Sequence, residues 1–194
     1  MTSTNPNLCE SLYIFKEEWN MKQKIDAFDY AGTLCKALKK GVLLTVCRGE
    51  EVNTMTIGWG AIGVDWARPV FTAYVRESRH TKKMLDEAGE FTVNVPMDDS
   101  CAKILGYCGS KSGRDTDKIK DLGLTLVDSD VVSAPGIAQL PLTLECRVLN
   151  TQVQDISQLP EAITARYYPA AGEGPDLHTL YYGEIVNAYL ITED

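Results

Sequence analysis
The sequence predicts a mainly β fold, an antiparallel barrel or closed sheet with a few helices packed on it. Three observations lead there. Strand-like stretches outnumber helical ones across the 194 residues. Several of them are joined by turns too short to hold a crossover helix. Helices do not alternate with strands throughout, as a doubly wound parallel sheet would require.

Residues 1–40 read as an N-terminal extension whose first two dozen residues carry little pattern. Its end, "FDYAGTLCKALKKG", predicts a helix. Ala31, Leu34, Cys35 and Leu38 recur at helical spacing, and Gly41 is a natural stop. Residues 41–194 are expected to form one domain, with no internal repeat, low-complexity tract or linker. "VLLTVC", "RGEE" and "VNTMTIGW" predict a hairpin from about Val42 to Trp59. In it Asn53, Met55, Ile57 and Trp59 share one face, while Val52, Thr54, Thr56 and Gly58 share the other. "VFTAYV" (Val70 to Val75) is the next strand, and the helix after it puts Met84, Leu85 and Ala88 on one face. "GEFTVNVP" alternates through Phe91, Val93 and Val95 and closes at Pro96. "DDSCAKILGY" offers a short helix with Ser100 or Asp99 as its cap. "CGSKSGRDTDKIKDLGL" reads as a Gly/Ser-rich loop running into a helical turn. "LPLTLECRVLN" alternates through Leu142, Leu144, Cys146 and Val148; "PAAGEGPD" is a loop, and "HTLYYGEIVNAYL" is a long final strand.

Hydrophobic content of 44% and charged content of 24% are ordinary for a soluble globular chain. A net charge of -8 argues against a general nucleic-acid binder, because phosphate neutralisation needs a positive surface. No stretch approaches the roughly 20 apolar residues of a membrane span, and the start lacks the basic and apolar regions of a signal peptide. The six cysteines (Cys9, Cys35, Cys47, Cys101, Cys108, Cys146) are scattered and form no C-x-x-C. Free thiols in a reducing compartment, and hence a cytoplasmic protein, are the expectation.

Two motifs match by letter only. "GWGAIG" (Gly58 to Gly63) fits G-x-G-x-x-G, but "VDWARP" follows and cannot start the helix that a dinucleotide fingerprint needs. "GYCGSKSG" resembles a P-loop, but its Lys stands two residues after Gly109 and the earlier Gly is missing. Only His80 and His178 exist, and no ligand pair is spaced for zinc, so no metal is expected. Cys108 could be an activated nucleophile, but no partner arrangement is visible; a small residue whose backbone matters is the plainer reading. No side chain stands out as a catalytic acid or base.

The cations at "YVRESRHTKK" (Tyr74 to Lys83) are anomalous. Helix N-termini favour acids, yet Arg76 to Lys83 carries a net +3. Lys82 with Asp86 and Lys83 with Glu87 could pair at i,i+4 as a solvated face. That leaves Arg76, Arg79 and His80 around Ser78 and Thr81. With Ser78 as N-cap, free backbone N–H groups, a hydroxyl and two guanidiniums would meet at one helix start, which suits a phosphate. Thr54, Thr56 and Gly58 make a small, hydrogen-bonding strand face against which a planar ligand could lie; an ordinary half-exposed strand is the alternative. "YCGSKSGRD" adds a loop rich in backbone donors, or simply a surface turn.

Taken together, "NTMTIGWGAIGVDWARPVFTAYVRESRHTKKMLDEAGEFTVNVP" and "GYCGSKSGRDTDKI" resemble the flavin reductase-like proteins, the flavoredoxin group. The likeness covers roughly Gly41 to Lys120 well and the later strands loosely. It implies an FMN-binding split barrel of Greek-key antiparallel type, a homodimer with FMN near the interface. It implies that Arg76, Ser78, Arg79, His80 and Thr81 hold the phosphate and ribityl chain, and that Asn53, Thr54, Met55 and Thr56 line the isoalloxazine. Cys108, Gly109, Ser110, Lys111, Ser112 and Gly113 would close over the other side. Hydride or electron chemistry would belong to the flavin, with the protein supplying binding, orientation and electrostatics. The family implies an oxidoreductase of flavin reductase type, with NADH or NADPH as transient donor. It equally allows an FMN electron carrier that meets a redox protein partner, for which the acidic surface could serve docking.

Overall fold
The computed structural model describes residues 21–170, 172 and 174–192. In chain order these form β1 (Met21–Lys24), a 3-10 turn (Ala27–Tyr30), α1 (Ala31–Leu38), β2 (Val42–Arg48), β3 (Glu51–Ile57), β4 (Gly60–Asp65) and β5 (Arg68–Arg76). Then come α2 (His80–Ala88), β6 (Glu90–Val95), α3 (Ala102–Ser110), α4 (Lys118–Leu122), β7 (Leu126–Val127) and β8 (Gly136–Ile137). The chain ends with β9 (Leu142–Val153), α5 (Glu161–Tyr167) and β10 (His178–Thr192).

The long strands join in one sheet of order β3-β2-β6-β9-β10-β5-β4, with β1 added on β10, and every pairing is antiparallel. The fifteen residues of β10 let it pair with β5 along one half and β1 along the other. Edge strands β3 and β4 do not pair, so the sheet curls without closing. The two pockets described below are lined in part by β3 and by Gly58 and Trp59, which lead into β4. Alternation fills the inside: Leu44, Phe71, Phe91, Val93, Leu144 and Tyr181 are all buried in one cluster with Met84 and Leu85 of α2. Each such side chain contributes about 2 kcal/mol by leaving water.

The predicted hairpin is present as β2 and β3, from Val42 opposite Ile57 to Arg48 opposite Glu51. The "GWGAIG" run lies at the start of β4, with no helix after it. Its Gly60 is there for packing: a Cβ would sit 2.6 Å from Phe71 Cζ. The turn that follows, Trp66-Ala67, has both residues in the left-handed region at φ 49° and 57°. Trp66 rests against Tyr182, ring centroids 6.0 Å apart.

Within residues 1–40, Met21–Lys24 pairs with Tyr189–Thr192, and Leu34 and Leu38 of the predicted helix are buried in the main cluster. Residues 1–20, with Cys9, lie outside the described residues.

Three local expectations need correction. The α3 N-cap is Cys101, without a side-chain cap bond; Asp98 takes the Ser100 N–H at 2.8 Å, and Asp99 pairs with Lys40 instead. Cys108, Gly109 and Ser110 are the last turn of α3 rather than loop. Helix α5 was not anticipated. Among the described residues no helix is long and apolar enough to cross a membrane.

Candidate functional site
The site begins where β5 ends. Arg76 closes the strand, and α2 starts four residues later with Arg79 as its extended N-cap, φ -74° and ψ 137°. The first helical N–H groups, those of His80 and Thr81, therefore lack carbonyl partners inside the helix. Ser78 is not the cap. Its N–H and Oγ both donate to the Asp176 carboxylate, at 3.0 and 2.7 Å. That contact spans 98 residues, which is why no local pattern announces it.

The two guanidiniums expected at a phosphate divide their labour. Arg76 is committed: it donates to the Asp176 and Tyr167 carbonyls at 2.7 and 2.9 Å and stacks on Tyr168. It pins the segment after α5 to the end of β5. The Arg79 guanidinium makes no hydrogen bond or ion pair among the described residues. It lines two adjoining pockets, as does Met55. Among the lysines, Lys82 pairs with Asp86 at 2.8 Å, as the spacing suggested, and also with Glu77 at 3.4 Å. The expected Lys83–Glu87 pair is not formed, because Glu87 is taken by Arg48 at 2.9 Å.

The first pocket is narrow, 80 Å³, and cationic. Met55, Ser78, Arg79, His80 and Thr81 line one side; Cys108, Gly109, Lys111, Ser112, Gly113, Arg114 and Lys118 line the other. Lys118 is not among the residues the sequence singles out; it starts the helical turn that follows the Gly/Ser-rich loop. It is only 4% exposed. Its Nζ donates to the Thr54 and Cys108 carbonyls at 2.8 and 3.3 Å, leaving one N–H uncommitted. Burial, reinforced by Arg79, lowers the Lys118 pKa, while Cys108 opposes the shift. An anion beside it would relieve that strain on the charged form. Burial raises the Cys108 thiol against a smaller opposing pull from Lys118, so this is no activated nucleophile. His80 Nε2 lies 3.3 Å from Glu51, whose carboxyl is held below its usual range first by Arg48 and then by His80.

The second pocket, 250 Å³, is aromatic. Met55, Thr56, Ile57, Gly58, Trp59, Tyr74, Arg76, Arg79 and His178 surround it. Trp59 lies 4.6 Å from the His178 ring, tilted by 34°, and 5.2 Å edge-on from Tyr167. His178 Nδ1 contacts the Tyr168 hydroxyl at 2.9 Å, and that hydroxyl donates onward to Gln154. Tyr168 thus spends its hydrogen on Gln154, and the imidazole presents its Nδ1–H to it. Burial, then the charge of Arg76, pushes His178 down to about 4, so the ring is neutral near pH 7.

Twelve of the fifteen expected site residues line these two pockets. The exceptions are Asn53, Thr54 and Ser110. Asn53 donates to Thr81 Oγ1 at 2.7 Å and stands behind the first pocket. Thr54 is buried and bonds Leu44 O and Thr45, so its hydroxyl faces the protein. Ser110 is exposed and turns back to Tyr107 O. The Thr56 hydroxyl is likewise committed, to Leu105 O at 2.6 Å. A roomier groove of 520 Å³ lies between α1 and α3. Its rim charges Lys40 and Asp99 pair with each other at 2.6 Å, and it contains none of the expected residues.

Comparisons with known proteins bear on the family and the fold. The family model described as flavin reductase like domain matches residues 36–194. An uncharacterized protein of Archaeoglobus fulgidus is 34% identical over 107 residues, covering 55% of this chain and 59% of that one. The chain thus spans about three fifths of the length of the curated relatives it matches. Among solved structures, flavoredoxin from Methanosarcina acetivorans aligns with a TM-score of 0.59 at 27% identity, over 77% of this chain and 67% of that one. An FMN-binding domain of flavin reductases-like enzyme from Shewanella baltica aligns with a TM-score of 0.60 over 89% and 78%, at 20% identity, a likeness of fold.

Proposed function
The chain belongs to the flavin reductase-like domain family, and on that premise we propose that it binds FMN and acts as an oxidoreductase of flavin reductase type. Reducing equivalents would pass between NADH or NADPH and the flavin or a further acceptor. The observation that carries this is the junction at Arg79: an uncommitted guanidinium between a narrow cationic pocket and an aromatic one. The donor set suits a phosphate monoester. Arg79 and Lys118 bring charge, and the His80 and Thr81 N–H groups bring directed donors at a helix start. Met55, Trp59 and Tyr74 offer apolar surface to a planar ring in the adjoining pocket. Bound FMN would supply the hydride and electron chemistry.

The residues of this chain then have defined tasks. Arg79 and Lys118 hold the anionic end. Met55 and Trp59 orient the ring. Arg76 keeps Tyr167 and Tyr168 packed against Trp59 and His178, which line the aromatic pocket. Neutral His178 offers a hydrogen-bonding edge without adding charge there.

A second reading, an FMN electron carrier without its own NAD(P)H oxidation, is favoured by the net charge of -8, which suits docking to a basic redox partner. Two copies of the chain are expected to form a homodimer, detectable by light scattering. The deciding experiment has two stages. Purified protein should show a flavin spectrum, or take up added FMN, at near one per chain; a colourless protein that refuses FMN sinks both readings. Anaerobic oxidation of NADH or NADPH by the loaded protein then separates enzyme from carrier.

A further inference from the structure
Resting on the flavin reading above, we propose that the cationic pocket is a dead end shaped for a terminal phosphate, so that the chain accepts FMN and rejects FAD. The end wall is formed by Gly113 packed on the Asn53 amide. A Cβ at Gly113 would lie 2.8 Å from Asn53 Cγ and 3.0 Å from His80 Cδ2, so nothing passes between them. Asn53 cannot swing aside freely, because its Nδ2 holds the buried Thr81 hydroxyl at 2.7 Å.

Behind that wall lies a second hollow of 470 Å³, and its charge is of the wrong sign for a longer ligand. Glu50, Glu51, Asp115 and Asp117 line it, against Arg114 and Lys118 at the edge it shares with the first pocket, so its lining is net acidic. Glu51 is offset by Arg48 at 2.5 Å, and Asp117 is occupied with the Lys120 N–H. Glu50 and Asp115 line the hollow and have no side-chain partner among the described residues. A phosphate monoester stops at Arg79 and Lys118 and never meets them. A dinucleotide must carry a second phosphate and a nucleoside past Asn53 and into this carboxylate collar. Discrimination here comes from a barrier and a repulsion set against the wrong ligand, not from extra contacts with the right one. Salt should weaken the repulsive part, because these carboxylates are exposed.

Flavin fluorescence titration with riboflavin, FMN and FAD tests this on the wild-type chain, on Asn53→Ala and on the surface double variant Glu50→Gln/Asp115→Asn. The expected wild-type order is FMN tightest, with FAD weaker by about tenfold or more. The double variant should gain more affinity for FAD than for FMN, and added salt should reproduce part of that gain in the wild type. Asn53→Ala should narrow the gap further by opening the wall; should it fold poorly, the double variant still decides. FAD binding as tightly as FMN in the wild type overturns the inference. So does an unchanged FAD-to-FMN ratio in both variants. Failure of all three flavins to bind points instead at the flavin reading itself and takes the inference down with it.

Discussion
Two buried charges in this molecule are treated in opposite ways. Glu145 on β9 is fully buried, and four donors satisfy it: the N–H groups of Asp130, Val131 and Val132, and Asn187 Nδ2, at 2.7 to 3.1 Å. It presents nothing to a cavity. Lys118 on α4 is 4% exposed, commits two of its three N–H groups to carbonyls, and borders an open pocket. A buried charge is tolerable when it is fully hydrogen-bonded. Glu145 is complete within the chain and stitches the 130–132 loop to the sheet. Lys118 is left one partner short, and the shortfall faces the place where an anion would go. Burial alone does not distinguish structure from site; the count of unmet bonds does.

The largest test of this contrast is Glu145→Ala. Orphaning three backbone N–H groups should lower stability by about 3 kcal/mol in urea unfolding, while FMN affinity of the folded fraction stays the same. A loss under about 1 kcal/mol would erase the difference between the two charges. Next comes Lys118→Met. FMN should bind about 30-fold more weakly, near 2 kcal/mol, with stability changed by no more than about 1 kcal/mol, because a buried charge traded for an apolar chain of similar length is close to neutral. If Lys118→Met instead destabilises the fold as Glu145→Ala does and spares FMN, the two charges are alike. Arg79→Ala should cost about tenfold in FMN affinity, or about 1.4 kcal/mol, and Lys83→Ala almost nothing. Equal losses from both would mean that the wrong cations have been assigned.

The smallest effect is on pH. His178 is pushed from 6.5 to about 4 in the folded chain. The unfolded chain therefore binds a proton that the folded one refuses, so this contribution to stability is complete above pH 6.5 and is lost as pH falls toward 4. It should amount to about 1 kcal/mol once the solvent reaching the ring is allowed for. His178→Phe, which keeps a ring against Trp59, should flatten that slope; an unchanged slope would show that another group carries it.

What the sequence made legible was local. Alternation marked β3, β6 and β9, while β2 showed as a continuous apolar run because both faces of Val42–Val46 are buried; β5 and β10 showed as strand-rich stretches. Helical spacing ahead of Gly41 and at Met84 and Leu85 marked α1 and α2. The end of α3 is hidden in the sequence because Gly109 and Ser110 are poor helix formers. Tertiary contact overrides that preference: Leu105 and Cys108 are buried, and Leu105 O takes the Thr56 hydroxyl. At the candidate site, the cations at the start of α2 were visible as an oddity of charge. The assignment of Arg76 to loop carbonyls rather than to a ligand was not, because its partners Tyr167 and Asp176 are 91 and 100 residues away. Lys118 was hidden for the same reason; its burial depends on strand β3, 64 residues earlier.

The tip of the β4–β5 hairpin has a consequence of another kind. Trp66 and Ala67 hold left-handed backbone without the Asn-Gly pair that such a two-residue turn favours, at a cost of about 1 kcal/mol or more each. That cost lies at the Arg68 end of β5. Arg76 and the pockets lie at the other end, about 27 Å up the strand. Rewriting the tip as Asn-Gly would raise the melting temperature without approaching the pockets. A lineage or a designer could then accept destabilising substitutions around Arg79 and Lys118 in search of new ligands, because the hairpin tip can compensate for them from a distance.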